Sequence, residues 1–176
     1  MKKITLCLLM LLTASFAMAQ YKPADQGSIL KFTIKNFGFD VGGSFTGFKG
    51  NINFDPQNLS TASFDVSIDA ATVNTDNNLR DQHLKGEDYF DIKNYPLIRL
   101  LAGKVVAAKN GYTLMGVLTI KGKSKEITFP FTTSPSADGL VFKGSFKINR
   151  KDFGVGGTST IANELEVNLN VLAKKS

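Results

Sequence analysis

Apolar residues at every second position, in run after run, restrict this chain more than any other feature. Leu30, Phe32 and Ile34 alternate with Lys31, Thr33 and Lys35. Phe48, Ile52 and Phe54 share one face of the next run, and Phe64, Val66, Ile68 and Ala70 one face of the third. Ile98, Leu100 and Ala102 follow, then Tyr112, Leu114, Leu118 and Ile120, then Ile127, Phe129 and Phe131. Leu140, Phe142, Phe146 and Ile148 make the seventh run, and Leu165, Val167, Leu169 and Val171 the eighth. A period of two puts successive side chains on opposite faces of a strand, so each run has an apolar and a polar face.

The runs are separated by turn signals: Asp55-Pro56-Gln57-Asn58, Asn110-Gly111, Lys121-Gly122-Lys123-Ser124 and Ala137-Asp138-Gly139. Asn-Gly between two alternating runs marks a two-residue hairpin. The spacing predicts an all-β domain with eight antiparallel strands in up-and-down order. Such strands close into a barrel or stack as a sandwich. Closure removes the unpaired edges, and eight strands enclose an interior wide enough for side chains or one ligand. Gly42, Gly43, Gly47, Gly50, Gly103, Gly116 and Gly144 fall inside strand patterns, where glycine marks bends and bulges. That curvature favours the barrel.

One block breaks the alternation. Residues 74–96, NTDNNLRDQHLKGEDYFDIKNYP, are polar and aromatic and contain the single histidine, His83. Asn74-Thr75-Asp76 offers capping oxygens. Asn77 to Leu84 then has helical character, Gly86 stops it, and Pro96 forbids continuation. The expectation is a short helix and loop between strands three and four, sitting at a barrel rim. Tyr89, Phe90 and Tyr95 are expected to plug that end of the core.

The first residues read as an export signal. Met1-Lys2-Lys3 is a basic start, Ile4 to Phe16 is apolar but too short to span a bilayer, and Ala17-Met18-Ala19 is a small-x-small cleavage site. The domains are therefore expected as a cleaved signal peptide over residues 1–19 and one barrel domain over residues 20–176, with a periplasmic or secreted destination. The mature chain would hold 157 residues (176 minus 19) and no cysteine, since Cys7 lies in the leader. Its stability must come from a core rather than disulfides. Without Lys2 and Lys3 there remain 19 basic residues against 15 acidic ones, a net charge of +4, too small to argue for nucleic acid as partner.

Catalytic chemistry finds little support. Asp81 and His83 are two apart, and on a helix such residues point in different directions. No serine sits in a nucleophile elbow. One histidine and no mature cysteine do not make a zinc or copper site, and the carboxylates lack EF-hand spacing. Gly154-Val155-Gly156-Gly157-Thr158 lacks the Gly-Lys-Ser/Thr of a phosphate loop and precedes a strand, so it reads as a turn. Lys121, Lys123 and Lys125 on one hairpin, and Lys147, Arg150 and Lys151 near another, read as a solvated edge, or as charge that would steer an anionic head group or touch a membrane surface. No enzyme activity, metal or cofactor is expected. The phenylalanines of the inward faces, Phe32, Phe48, Phe54, Phe64, Phe129, Phe131, Phe142 and Phe146, either fill the barrel or line a cavity.

Four segments resemble the YceI family of polyisoprenoid-binding, lipocalin-like bacterial proteins. The first holds Phe32-x-Ile34-x-Asn36 with Gly43-x-Phe45-x-x-Phe48-x-Gly50-x-Ile52-x-Phe54-Asp55-Pro56. The second runs from Asn74-Thr75 through Arg80-Asp81-x-His83-Leu84 and Asp88-Tyr89-Phe90-Asp91 to Tyr95-Pro96. Leu118-Thr119-Ile120-x-Gly122 and Arg150-x-Asp152-Phe153-Gly154 complete it. The resemblance implies an extended eight-stranded antiparallel lipocalin-like barrel. Its interior would hold the tail of an isoprenoid or other fatty amphiphile, as monomer or homodimer, without catalysis. The eight phenylalanines would line the tail site, and Asn36, Arg80 and His83 would bind the head group or fasten the cap. Many members carry histidine where this chain has Asn36, which alters the hydrogen bonding available there. The alternative is a structural or stress-protective exported barrel filled by its own side chains.

Overall fold

The structure, a computed structural model, describes residues 20–176. The signal peptide expected over residues 1–19 lies outside the described residues. Ten strands and one helix follow in chain order: β1 (Gln20–Pro23), β2 (Ile29–Asn36), β3 (Phe39–Phe45), β4 (Lys49–Asn53), β5 (Ser63–Asp69), α1 (Asn78–Lys85), β6 (Leu97–Ala108), β7 (Gly111–Ile120), β8 (Lys123–Ser136), β9 (Gly139–Asn149) and β10 (Ile161–Lys175). All pairings are antiparallel, and the sheet closes on itself into an eight-stranded barrel.

Eight staves arise from ten strands because two staves are broken. β10 pairs with β2 along most of its length and with β1 at its end, Tyr21 facing Lys175, so β1 and β2 are two halves of one stave. β2 pairs with β3 and β1 with β4, so β3 and β4 are the halves of the next. The two breaks lie side by side and are stitched together: the Asp25 carboxylate accepts from the backbone N–H of Gly47 at 2.8 Å and of Phe48 at 2.9 Å. Alternation alone points to one strand per stave and misses β3, because Gly42 and Gly43 carry no side chains to mark its faces. In β4, Gly50 adopts φ +119°, and a β-carbon there would strike the Asp65 carbonyl across the sheet. Glycine at this point lets the wall bend sharply enough to close.

The core sits inside the barrel, as the alternation requires. Phe54, Phe64, Phe129, Phe131 and Phe142 pack with Leu114 and Ala173 at one end; Leu118, Ile120, Phe153 and Val155 pack toward the other. Phe45, Ile68 and Val73 form a third cluster where β3 and β5 approach. The outer wall carries ion pairs Lys35–Asp40 at 2.8 Å, Arg99–Asp65 at 2.7 Å and Lys147–Glu164 at 2.8 Å. A barrel facing lipid has the opposite polarity, with an apolar outer band. No helix among the described residues is long and apolar enough to cross a membrane.

The two ends differ. The lower end holds the tight turns after β6 and β8 and a nine-residue connection after β4 with a single 3-10 turn at Leu59–Thr61. The upper end holds the β2–β3 hairpin, the β5–β6 insertion with α1, the β7–β8 hairpin, and the β9–β10 connection through residues 150–160. The two longest connections are therefore on one rim, and the upper half of the interior lies beneath it.

Candidate functional site: an apolar cavity beneath a fastened cap

The inward phenylalanines do not fill the barrel. Two adjoining cavities of about 120 and 150 Å³ lie along its interior and share Leu30, Ile68, Ile98, Leu118 and Phe146 in their walls. One water needs only about 10–15 Å³ of such volume, but also two or more polar partners. These walls supply almost none. Ser67 is the one polar residue around the lower cavity, and Tyr89 and Arg150 are the ones around the upper. A space this large and this apolar suits a hydrocarbon chain better than water.

Of the eight phenylalanines expected at the tail site, Phe48, Phe64, Phe129, Phe131, Phe142 and Phe146 line the lower cavity, and Phe32 and Phe146 the upper. Phe54 lines neither. It is 1% exposed and forms the floor, meeting Phe64, Tyr112, Phe131 and Phe142 with ring centroids 5.0 to 6.3 Å apart. It shares the inward face with Ile52, but lies one step nearer the closed lower end, where the barrel narrows onto its own side chains.

The insertion between β5 and β6 is a cap, built from local chemistry. Asn77, not the Asn74-Thr75-Asp76 triplet, is the N-cap of α1; its side chain accepts from the Arg80 N–H at 3.0 Å. Gly86 ends the helix about two turns later. The preceding Asn74 bridges to Ser44 of β3, and Ala70 donates to the Pro96 carbonyl at 2.8 Å, which clamps both ends of the insertion to the barrel. Inside the clamp Asp81 is buried and accepts from Thr75, from its N–H at 2.9 Å and its hydroxyl at 2.5 Å.

This geometry decides the position of the two polar candidates. Arg80 donates from Nε to the Thr75 hydroxyl at 2.7 Å and from its second amino nitrogen to the Thr75 carbonyl at 2.6 Å. It lines an outer polar crevice between β3 and the insertion, with Lys31, Asp40 and Asp76, and neither apolar cavity. His83 is exposed and meets Tyr89 edge-on at 4.9 Å. Both fasten the cap from outside. The cap residues that reach inward are Leu84, Tyr89 and Phe90, all in the wall of the upper cavity. Phe90 stands edge-on to Phe45 at 5.4 Å. Tyr95 is not part of the expected plug; it lies outside, against Gly122 of the β7–β8 turn.

Asn36 ends β2 on the same inward face as Ile34, half-buried, and its carbonyl oxygen accepts from the Thr160 hydroxyl at 3.1 Å. It is the one polar candidate at the cavity rim. There β10 slips against β2: Ile161 faces Asn36 and Leu165 faces Ile34, four residues of one strand spanning two of the other. Ile34, Ile161 and Leu165 line the upper cavity and are half-buried, while Leu118, Ile120, Phe153 and Val155 in the same wall are buried. The wall of the upper cavity is therefore irregular at the rim where β2 meets β10.

Arg150 is the residue that sequence reasoning misplaced. Beside Lys147 and Lys151 it reads as part of a solvated edge, yet it is 4% exposed and stands in the wall of the upper cavity. Nε donates to Ala162 O at 2.9 Å; one amino group donates to Val155 O at 2.8 Å and to Gly156 O, the other to Ser159 Oγ at 3.0 Å and Ile161 O at 2.9 Å. No carboxylate pairs with it among the described residues; carbonyl dipoles solvate the charge instead. The glycines at 154, 156 and 157 let the chain turn its carbonyls inward, and that cluster is visible only in three dimensions. The lysines nearby also work locally. Lys121 Nζ donates to Glu87 O at 2.6 Å and Gly154 O at 3.2 Å, and the Gly156 N–H donates to Asp88 O at 2.7 Å. The cap and the β9–β10 connection are clasped together over the cavity.

No group of three or more histidine, cysteine or carboxylate side chains among the described residues is placed to hold a metal.

A family model of the YceI-like domain matches residues 21–173. Among curated proteins, the UPF0312 protein of Yersinia enterocolitica is 30% identical over 128 residues, 71% of this chain and 67% of that protein, and relatives from Yersinia pestis and Yersinia pseudotuberculosis match equally well. Among solved structures, BcnA of Burkholderia cenocepacia superposes with TM-score 0.79 at 27% identity, covering 85% of this chain and 98% of that one. The Campylobacter jejuni YceI protein gives 0.67 at 30% identity over 76% and 84%. A domain from Saccharophagus degradans shares the fold, with TM-score 0.67 at 14% identity over 91% and 100%. The family match begins within β1 and ends within β10, the two strands that close the barrel, and the chain belongs to the family of YceI-like domains.

Proposed function

We propose that this protein is an exported, non-enzymatic binding protein that holds the tail of an isoprenoid or similar fatty amphiphile inside its barrel, for transport, storage or stress protection. The observation that carries the proposal is the pair of adjoining cavities whose walls are apolar almost throughout. Burying a methylene there is worth about 0.8 kcal/mol, so some ten carbons of tail supply about 8 kcal/mol before the losses on binding. A barrel of ten-residue strands tilted by about 40° stands about 25 Å tall, against about 15 Å for half a bilayer core. One ordinary acyl tail fits extended; a long polyprenyl chain folds back or protrudes. The Saccharophagus degradans structure of the same fold is described as a polyisoprenoid binding domain, which agrees with this reading.

Native mass spectrometry of protein purified from its own host, followed by lipid extraction, tests the proposal. The expected result is a bound amphiphile released on denaturation. A barrel that is always empty, and takes up no added polyprenyl lipid, sinks it in favour of a protective barrel without ligand. Export to the periplasm or medium is tested by fractionation and by sequencing the mature N-terminus, expected at Gln20.

A further inference from the structure

The three most exposed large apolar side chains among the described residues are Leu79 at 85%, Phe39 at 77% and Phe37 at 74%. All three stand on the upper rim. Phe37 and Gly38 are the two residues of the β2–β3 turn, with φ of +50° and +84°. Two positive φ values in a two-residue hairpin define a turn that favours Asn-Gly, and a bulky residue at its first position adopts a conformation that L-amino acids disfavour by about 1–2 kcal/mol. The ring is not repaid by packing, because it projects into water. Phe39 faces Asn36, one register pair beyond Ile34 and Val41 on the inward face, so it continues the line of the cavity wall past the rim. Leu79 precedes Arg80, which lines one crevice with Asp40 and Val41 of that hairpin. The connections at the opposite end carry Gln57, Asn58, Asn110 and Asp138 instead.

We propose that the β2–β3 hairpin tip is a membrane-docking device, inserting Phe37 and Phe39 into a bilayer surface, with Leu79 beside them, so that cargo passes between the bilayer and the upper cavity. This rests on the tail-binding reading. A bilayer is favoured over a protein partner because Phe39 faces Asn36, which faces Ile161 in the wall of the upper cavity, so the tip adjoins the rim of the tail site, and a lipid's own reservoir is the bilayer. Aromatic side chains also settle at the membrane–water interface. The charges of the hairpin, Lys35 and Asp40, neutralise each other at 2.8 Å. Insertion is therefore apolar in origin, and binding is expected on neutral as well as anionic surfaces.

The test compares the wild type with Phe37→Asn and Phe39→Ser, alone and together, by flotation with vesicles of phosphatidylcholine, with and without added phosphatidylglycerol. Wild type is expected to bind both. Vesicle affinity should fall about tenfold for each phenylalanine removed. Transfer of a fluorescent polyprenyl lipid from vesicles to protein should slow in parallel, while binding of the same lipid delivered in detergent stays unchanged. Phe37→Asn should keep or raise the melting temperature, since asparagine suits this turn. Binding to anionic vesicles only, or vesicle affinity and transfer rates that ignore both substitutions, overturns the proposal. So does a wild-type dimer that both substitutions dissolve, which would make a second copy the occupant. Failure to bind the lipid from detergent would instead defeat the tail-binding reading itself.

Discussion

Arg150 and Phe54 show how differently two buried side chains serve one cavity. Arg150 satisfies the carbonyls of Val155, Gly156, Ile161 and Ala162 at once and so shapes the connection over the upper cavity. Arg150→Lys keeps the charge but has three donors in place of five, leaving two or more acceptors unpaired; urea unfolding should show a loss of about 2–5 kcal/mol. Phe54 is a close-packed floor. Phe54→Ala should cost about 3–5 kcal/mol, whereas Phe48→Ala, at a ring that already faces empty space, should cost clearly less. Equal losses in the two variants would mean that the cavity is not empty in solution. At the same scale, the Arg99 guanidinium holds Asp65 below the ordinary carboxylate range, chiefly by hydrogen bonding; desolvation opposes this, and the charge of Arg99 adds a smaller downward pull. A depressed folded value means that the pair stabilises the fold above the unfolded pKa of about 3.9, and that this is lost as pH falls through the folded value. Both side chains are half exposed, so the effect on stability is slight. The Asp65 carboxyl should titrate below about 3.9 by NMR and move up toward it in Arg99→Met.

Among elements, the cap is set by α1 and by the clamp around it rather than by helix propensity. An eight-residue helix is not stable alone, and its charged sequence offers little apolar face. It is held by Asn77 at its start, by Asp81 on Thr75, and by the Ser44–Asn74 bridge. Asp81→Ala leaves the Thr75 N–H without its partner and should cost about 1–3 kcal/mol. Because the contact is local, hydrogen exchange should accelerate first at residues 74–86, with β7 and β8 unaffected. Uniform acceleration across the barrel would show that the cap and barrel unfold as one unit. Much of this element is readable in the chain: the break in alternation, the helix from 77 onward and the stop at Gly86. The partners of Arg80 and His83 are not, since which face of a short helix meets the barrel depends on how the insertion is clamped to β3 and β6.

For the whole molecule, closure explains why an apolar interior remains unfilled. The wall is fixed by strand number and tilt, and the side chains reach inward only as far as their length allows. Tail length should therefore limit affinity: across a series of fatty amphiphiles, affinity should rise with each carbon and then level off once the tail fills the two cavities. Calorimetric titration of such a series checks this, and affinity independent of length would argue that the tail lies elsewhere.

The alternation by itself determined an all-β chain with one apolar face per strand, eight staves, and an insertion after the third, because period-two patterning is a local consequence of the strand backbone. It also carried enough of the family's residues to be recognised. Tertiary structure decided the rest. It split two staves at neighbouring breaks, left Phe54 in the floor instead of the lining, turned Arg80 and His83 outward and drew Arg150 inward. Those outcomes depend on which carbonyls and rings meet across more than one strand or connection, and no spacing along the chain encodes the distance between them.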